Sequence, residues 1–476
     1  MYVDLDGTLI RTDLFAESIL QYLRKNPLNV FSLLTLLAKG RSVAKAVLAR
    51  RIRFDAARLP YEPGLISYIQ MRKSAGSKIV LATAAHWLHA QRIARHLGLF
   101  DAVLASNGRL NLKGKLKLKQ IKTMSAGRPF DYAGDSASDR PIWRAAERVI
   151  LVNAPERDIK LAEIQHRVAL TLRTRSNLAY AFRKGMRLHQ WAKNALLFVP
   201  LLTSHRYVNM ADDMRSTVAF IAFGLCASGN YLINDLLDLE ADRAHTTKRK
   251  RPLAAGDMPI SFGIVGALIF PLLAFTGSIL LLPWQFAACM AVYFATSNFY
   301  SLYLKRVSTA DVITLAVLYT IRVIAGAAAI LVTVSSWLLA FSMFTFVSLA
   351  YLKRYTEVAA LADRDFKAPG RGYSHVDAET MFSLGIANAT ASTLVLALYI
   401  SSNEVKTLYR SPDILWFLCL LMLYWSNRVW VGARRGKIHD DPVVFALKDP
   451  VSRLIGIAAL AVVFLAHLVP WKGFYQ

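Results

Sequence analysis

The chain is 476 residues long, 55% of them hydrophobic, and Lys plus Arg outnumber Asp plus Glu by 58 to 32, a formal charge of +26. From about residue 195 onward it repeatedly offers apolar stretches of roughly 20 residues, the length that crosses a bilayer core, whereas the first part offers none. A fully soluble enzyme is excluded, and in a multi-pass chain the cationic excess marks cytosolic loops and not nucleic acid.

Cys226, Cys289 and Cys419 all lie in apolar runs without Cys-x-x-Cys spacing, so neither disulfides nor structural zinc are expected. The start, Met1 to Thr8, lacks the basic residues and apolar block of a signal peptide, which predicts a first domain in the cytosol.

Over residues 1–155, short β-rich runs (Met1 to Val3, Lys78 to Ala82, Phe130 to Ala133, Val149 to Val152) alternate with helical stretches, predicting a parallel, Rossmann-like α/β domain. Residues 12–75 show no strand and read as a helical cap covering the carboxyl ends of the strands, where such sheets bind ligands. Residues 156–187 read as a basic connector with Arg173, Arg175, Arg183, Lys184 and Arg187, suited to an anionic membrane face or to a solvated helical linker.

Residues 188–472 read as an all-α multi-pass membrane domain of about nine transmembrane helices, near 195–208, 213–235, 259–282, 285–304, 310–332, 335–355, 378–401, 412–432 and 452–470. With a cytosolic N-terminus, the loops after even-numbered spans hold Arg243, Lys248 to Arg251, Lys305, Arg306, Lys353, Arg354, Arg364, Lys367, Arg371, Arg434, Arg435, Lys437 and Lys448. The opposite loops hold few cations, such as Lys406 and Arg410. This asymmetry predicts an integral protein of the cell inner membrane with its polar loops and active sites in the cytoplasm. Trp284, Trp337, Trp416 and Trp471 read as interfacial anchors.

Asp4-Leu5-Asp6-Gly7-Thr8 sets two carboxylates two residues apart after a strand, followed by a glycine that permits a tight turn. Thr83 closes a strand, Lys117 follows Lys113-Gly114-Lys115-Leu116, and Gly134-Asp135-Ser136-Ala137-Ser138-Asp139 follows another strand. These four pieces, in this order, resemble the motifs of haloacid-dehalogenase-type (HAD) phosphatases. The resemblance implies Asp4 as nucleophile, Asp6 as acid and base, Thr83 on phosphate oxygens and Lys117 neutralising phosphate and nucleophile. It also implies Mg²⁺ held by Asp4, Asp6, Asp135 and Asp139, hard oxygen ligands that suit this ion. Lys115 and Lys119 compete with Lys117 for the third motif. The first motif begins three residues after Met1, which predicts a very short first strand.

At about 100° per residue, Asp235, Asp238 and Asp242 fall within roughly 60° on one helical face at the end of the second span. Three acids there repel one another unless a cation or basic substrate lies between them, and such groups at a membrane are functional candidates. Asn234-Asp235-x-x-Asp238-x-x-x-Asp242 resembles the first signature of the UbiA-type intramembrane prenyltransferases. The family implies that these acids bind Mg²⁺ carrying a diphosphate. The loop His245 to Gly256, with Lys248 and Arg251, and the run Arg187 to Asn194, with Lys193, resemble the decaprenyl-phosphate phosphoribosyltransferase branch. Around Tyr303 and Lys305, Asp311 is followed by Leu315 where aromatic-substrate members often place a second Asp. This weakens the case for a second metal site and a prenyl-diphosphate substrate. Arg322, eleven residues on, lies about 20° away and roughly 16 Å deeper, placed to meet a lipid phosphate or pair with a carboxylate. Lys353-Arg354 and Arg371-Gly372-Tyr373 resemble the same branch, and the acidic stretch 440–449 has no role in this reading.

The expected function is Mg²⁺-dependent transfer of 5-phosphoribose from 5-phosphoribosyl diphosphate to a polyprenyl phosphate, with the fused phosphatase removing the product's 5-phosphate. The alternatives are an aromatic-substrate prenyltransferase with an unrelated phosphatase, and a membrane transporter with a HAD domain.

Overall fold

The computed structural model describes residues 1–165, 167–175, 177–359, 372–438 and 441–469. Arg364, Lys367, Arg371, Asp440 and Trp471 lie outside the described residues. The chain forms two compact units, Met1–Met186 with Tyr231–Leu268, and Arg187–Asn230 with Ile269–Gln476.

In the first unit, β1 (Tyr2–Val3), β2 (Val80–His86), β3 (Ala102–Ser106), β4 (Tyr132–Gly134), β5 (Val149–Val152) and β6 (Val168–Leu172) form one 6-stranded sheet. All pairs are parallel, in the order β3, β2, β1, β4, β5, β6. β1 is short, as expected, yet central. Tyr2 pairs with Val80 and Tyr132, so the carboxyl end of β1 opens at the point where the strand order reverses. Period-two alternation sends Val3, Leu81, Ile150 and Val152 to one buried layer and Tyr2, Val80, Leu151 and Tyr132 to the other.

Helices α1 (Leu14–Lys25), α2 (Asn29–Ala38) and α3 (Arg41–Arg51) form the cap, whereas α4 (Pro63–Ser74) belongs to the sheet layer through Leu65 and Ile69. Ile93 of α5 (Trp87–Leu97) joins that layer, and Ile121 of α6 (Lys115–Ser125) joins the opposite one. β6 falls within the stretch that reads as a connector, so part of that basic segment is sheet and not linker. β2 runs on to His86 instead of closing at Thr83, because pairing with β3 continues past Thr83 to a bulge and resumes at His86 with Ser106.

Among the described residues, seven helices are long and apolar enough to cross a membrane. They are Met210–Leu237, Ile260–Leu281, Ala310–Ala329, Ser336–Ala359, His375–Ser401, Pro412–Arg434 and Pro450–Leu468. Two stretches expected to span differ. At 195–208, a 3₁₀ run Leu188–Phe198 gives way to a 5-residue helix Val199–Thr203, where Pro200 supplies no backbone donor. Trp284–Leu302 is a helix of 19 residues diluted by Gln285, Ser297 and Asn298. The second unit's core centres on Val312, Ala316, Tyr319 and Val323, one helical face packed on Phe346, Val347 and Ala350.

Candidate active sites

Asp4 leaves β1 with its backbone N donating to Ala133 O at 3.0 Å, which aligns it with the exit of β4 and so with Asp135 and Asp139. Gly7 has φ +81°, and a Cβ there would lie 2.2 Å from Asp135 Oδ2, so both conformation and space require glycine. Thr8 donates to Asp135 Oδ1 at 3.3 Å.

Lys117 settles its competition with Lys115 and Lys119. It is buried on α6 while its two neighbours are exposed. Its ammonium lies 2.9 Å from Asp4 and 3.4 Å from Asp139. Tyr132 accepts from Lys117 at 2.9 Å and donates to Asp139 at 2.7 Å, a site residue the motifs did not announce. Thr83 is buried, with its hydroxyl accepting from Ala85 N at 2.9 Å.

Burial pushes the Asp4 carboxyl up to about 6, with Lys117 opposing and Asp139 reinforcing. Burial, then Asp4 and Asp139, push Asp135 up to about 7. Burial alone would depress the Lys117 ammonium, but Asp4 and Asp139 hold it above its usual value. Asp4, Asp135 and Asp139 each offer an oxygen within 4.8 Å of the others. Three hard oxygen donors with too little positive charge fit Mg²⁺.

Asp6 stands apart from that group. Its Oδ1 accepts from Leu14 N at 3.1 Å, at the start of α1. Burial and then Asp13 raise its pKa well above the ordinary value, the direction an acid catalyst needs. Lys45 of α3, missed in the sequence, donates to Ala84 O at 2.7 Å, and its charge acts on Asp6. Arg175, read as part of a connector at a membrane face or in a solvated linker, acts on Asp135.

The signature acids in the same unit are arranged differently from one uniform helical face. The helix Met210–Leu237 ends before Asp238, whose φ of −100° and ψ of 12° interrupt it, and a new helix runs Leu239–Ala244. The cation expected between the acids is the chain's own Arg251, whose NH1 donates to Asp235 at 3.0 Å and to Asp242 at 2.7 Å. Asp238 pairs with Arg24 of the cap at 3.5 Å. Asn234 contributes its carbonyl to Asp238 N at 2.9 Å. Lys248, in the 3₁₀ turn Lys248–Lys250, adds positive charge near Asp242, whose carboxyl burial raises. These acids are oxygen donors suited to Mg²⁺, but Arg251 already balances two of them.

In the second unit, Asp441 accepts from Lys193 at 2.7 Å and from Lys353 at 3.1 Å. Burial alone would raise Asp441, but Lys353 and Lys193 hold it well below the usual carboxylate range. Asp311 is buried and bonded by Arg354 and by Tyr300, at 2.7 Å from the tyrosine hydroxyl. Tyr303, the tyrosine singled out in the sequence, is exposed, and Lys305 follows in a 3₁₀ turn. Tyr300, one helical turn earlier, makes the contact. Arg322 donates to Asn194 at 3.1 Å, Tyr293 at 3.0 Å and the Leu318 carbonyl, beneath the rings of Phe223, Tyr293 and Tyr319. Asp311 is thus bound by Arg354 where the helical spacing put it on the Arg322 face.

The UbiA prenyltransferase family model matches residues 201–447, and the haloacid dehalogenase-like hydrolase model matches residues 2–144. The chain is 38% identical over 460 residues to the uncharacterized protein y4nM of Sinorhizobium fredii, covering 95% of this chain and 88% of that one. It is 33% identical over 294 residues to nodulation protein NoeC of Azorhizobium caulinodans, covering 60% and 92% respectively. It is 30% identical over 295 residues to decaprenyl-phosphate phosphoribosyltransferase of Mycobacterium tuberculosis, covering 60% and 94%.

Proposed function

Given that the chain belongs to the UbiA prenyltransferase family and carries an N-terminal haloacid dehalogenase-like domain, an integral membrane enzyme with transferase and phosphatase parts, we propose that it transfers 5-phosphoribose to a polyprenyl phosphate and then removes the 5-phosphate. The donor in this reading is 5-phosphoribosyl diphosphate. The observation that carries the choice of substrate is position 315: the helix Ala310–Ala329 bears Asp311 but has Leu315 where a second carboxylate would complete an acid pair. Among the described residues, no second carboxylate accompanies Asp311 on that helix, as a second acid-metal site for a prenyl diphosphate would need. The lipid-linked pentose reading also agrees with the similarity to the mycobacterial phosphoribosyltransferase.

An oxygen of the lipid phosphate attacks the anomeric carbon, the bond to diphosphate breaks, and diphosphate leaves with the electron pair. Asp235, Asp238 and Asp242 would hold Mg²⁺, which would offset the charge of the donor's diphosphate. Arg251, oriented by Asp235 and Asp242, and Lys248 supply cations for the diphosphate. In the phosphatase, Asp4 attacks phosphorus while Asp6 protonates the departing ribose oxygen. Asp6 then takes a proton from the water that releases phosphate. Asp4, Asp135 and Asp139 would hold Mg²⁺, which would supply positive charge to the phosphoryl oxygens. Both steps occur on the cytosolic face of the inner membrane, the side assigned by the Lys and Arg loops.

The test is transfer of labelled pentose from 5-phosphoribosyl diphosphate to decaprenyl phosphate in proteoliposomes. Parent protein labels the lipid, and Asp238→Asn lowers the rate by about 100-fold or more at saturating Mg²⁺. Label transfer that requires a prenyl diphosphate and an aromatic acid instead assigns the alternative, aromatic prenyl transfer.

A further inference from the structure

We infer that the phosphatase cap is a working part of the transferase: Glu17 of α1 is a positioning residue that holds, through Arg243, the hairpin carrying Asp242 and Arg251. The inference needs only the family assignment for its structural arm and rests on the proposed donor for its kinetic arm.

Arg243 follows Asp242 directly. Its Nε donates to Ala254 O at 3.1 Å, its NH1 to Glu17 Oε2 at 3.0 Å and its NH2 to Glu17 Oε1 at 2.6 Å. Ala254 lies three residues after Arg251, so one guanidinium ties the two arms of the hairpin, and Glu17 fixes that guanidinium in a bidentate fork. Both side chains are buried, 6% and 2% exposed. A buried carboxylate is tolerated only with a partner, and the partner here lies in the transferase sequence, 226 residues away. Thr12 donates to Glu17 Oε1, so the carboxylate is held from its own side as well.

The same face of α1 repeats the pattern two turns on. Arg24 meets Asp238 at 3.5 Å, so Glu17 and Arg24 present an alternating charge pair that matches Arg243 and Asp238. A third contact closes the hairpin's far end. Gly256 has φ +76°, and a Cβ there would lie 2.4 Å from Arg11 Cβ and 2.6 Å from its carbonyl oxygen. Arg11 stands four residues beyond Gly7, in the loop that follows the phosphatase's first motif. The phosphatase chemistry derived above uses neither Glu17 nor Arg24.

The test uses full-length protein in detergent with Glu17→Gln, Arg243→Gln, Arg24→Gln and the exchange Glu17→Arg with Arg243→Glu. Arg24 is partly exposed, so its variant folds even if the buried ones do not. Hydrogen exchange of peptides spanning 239–256 speeds at least tenfold in Glu17→Gln and Arg243→Gln. In Arg24→Gln it speeds at least threefold near Asp238, and the charge exchange restores most of the protection. In pentose transfer, KM for 5-phosphoribosyl diphosphate rises at least tenfold in the two buried single variants, kcat falls less, and hydrolysis of p-nitrophenyl phosphate stays within twofold. Parent-like hydrogen exchange in all three single variants overturns the inference, as does parent-like KM in variants whose hairpin has loosened. A parent protein that transfers no pentose overturns the proposed donor instead, and the hydrogen-exchange arm then decides the positioning role alone.

Discussion

Lys117 is 3% exposed and touches two carboxylates, so its charge is the internal counter-ion of a site built from acids. Truncating one partner of such a buried pair strands the others, at a cost of about 3–5 kcal/mol. Lys117→Met should therefore abolish p-nitrophenyl phosphate hydrolysis and lower the stability of the first unit by about that amount, read by denaturant titration. The acids make a second prediction. Asp4 and Asp135 titrate near 6 and 7 when folded, above the ordinary 3.8. Between roughly pH 4 and 7 the native state then binds more protons than the unfolded one, and stability without metal falls as pH rises through that window. Mg²⁺ held by these acids would compete with those protons. Its stabilising effect in a thermal melt of EDTA-stripped protein should be small at pH 5, where both acids are protonated, and large at pH 8. An equal effect at both values would remove Asp4 and Asp135 from the metal site. Lys117, Asp4 and Asp135 were legible because short motifs fix their spacing. Tyr132, Tyr300 and Asp441 were not, since their roles come from the fold: Asp441 meets Lys193 across 248 residues.

Strands announced themselves where both faces are buried. β1, β2, β4 and β5 fill the middle of the sheet, whereas β3 and β6 are its edges and mostly half-buried. Long apolar helices were equally legible, but composition does not report where a helix bends, and Asp238 interrupts a helix that periodicity continues. The last membrane helix shows how such an element is started. Asp449 caps Pro450–Leu468 by accepting from Ser452 N at 2.7 Å, and grips Arg428 of the preceding span through both oxygens, at 2.7 and 3.0 Å. Losing the cap alone costs about 1–2 kcal/mol, and losing the fork unpins the two helices. Asp449→Ala should thus speed proteolysis at 435–449 in detergent, while Asp449→Asn, which keeps the cap but weakens the fork, should fall between it and the parent.

At the scale of the whole chain, two chemistries are encoded in one polypeptide, and the order in which they act is a testable consequence. In the proposed sequence of reactions, a lipid-linked ribose 5-phosphate becomes the substrate of Asp4 once transfer is complete, and fusion in one chain raises the local concentration of the second site. Asp4→Asn removes the nucleophile while keeping the side chain's size. It should therefore leave pentose transfer within about twofold of the parent and convert the lipid product to its phosphorylated form. The parent, by contrast, should show that form only in the first turnovers. Mass spectrometry of the lipid fraction separates the two products by one phosphate. Because the product can also diffuse laterally in the bilayer, adding separate catalytic-site-competent protein to the Asp4→Asn vesicles should clear the phosphorylated lipid, but more slowly than the fused site does. Equal phosphate release from that lipid by parent and variant, or by neither, would assign the N-terminal domain to another substrate and end the sequence at transfer.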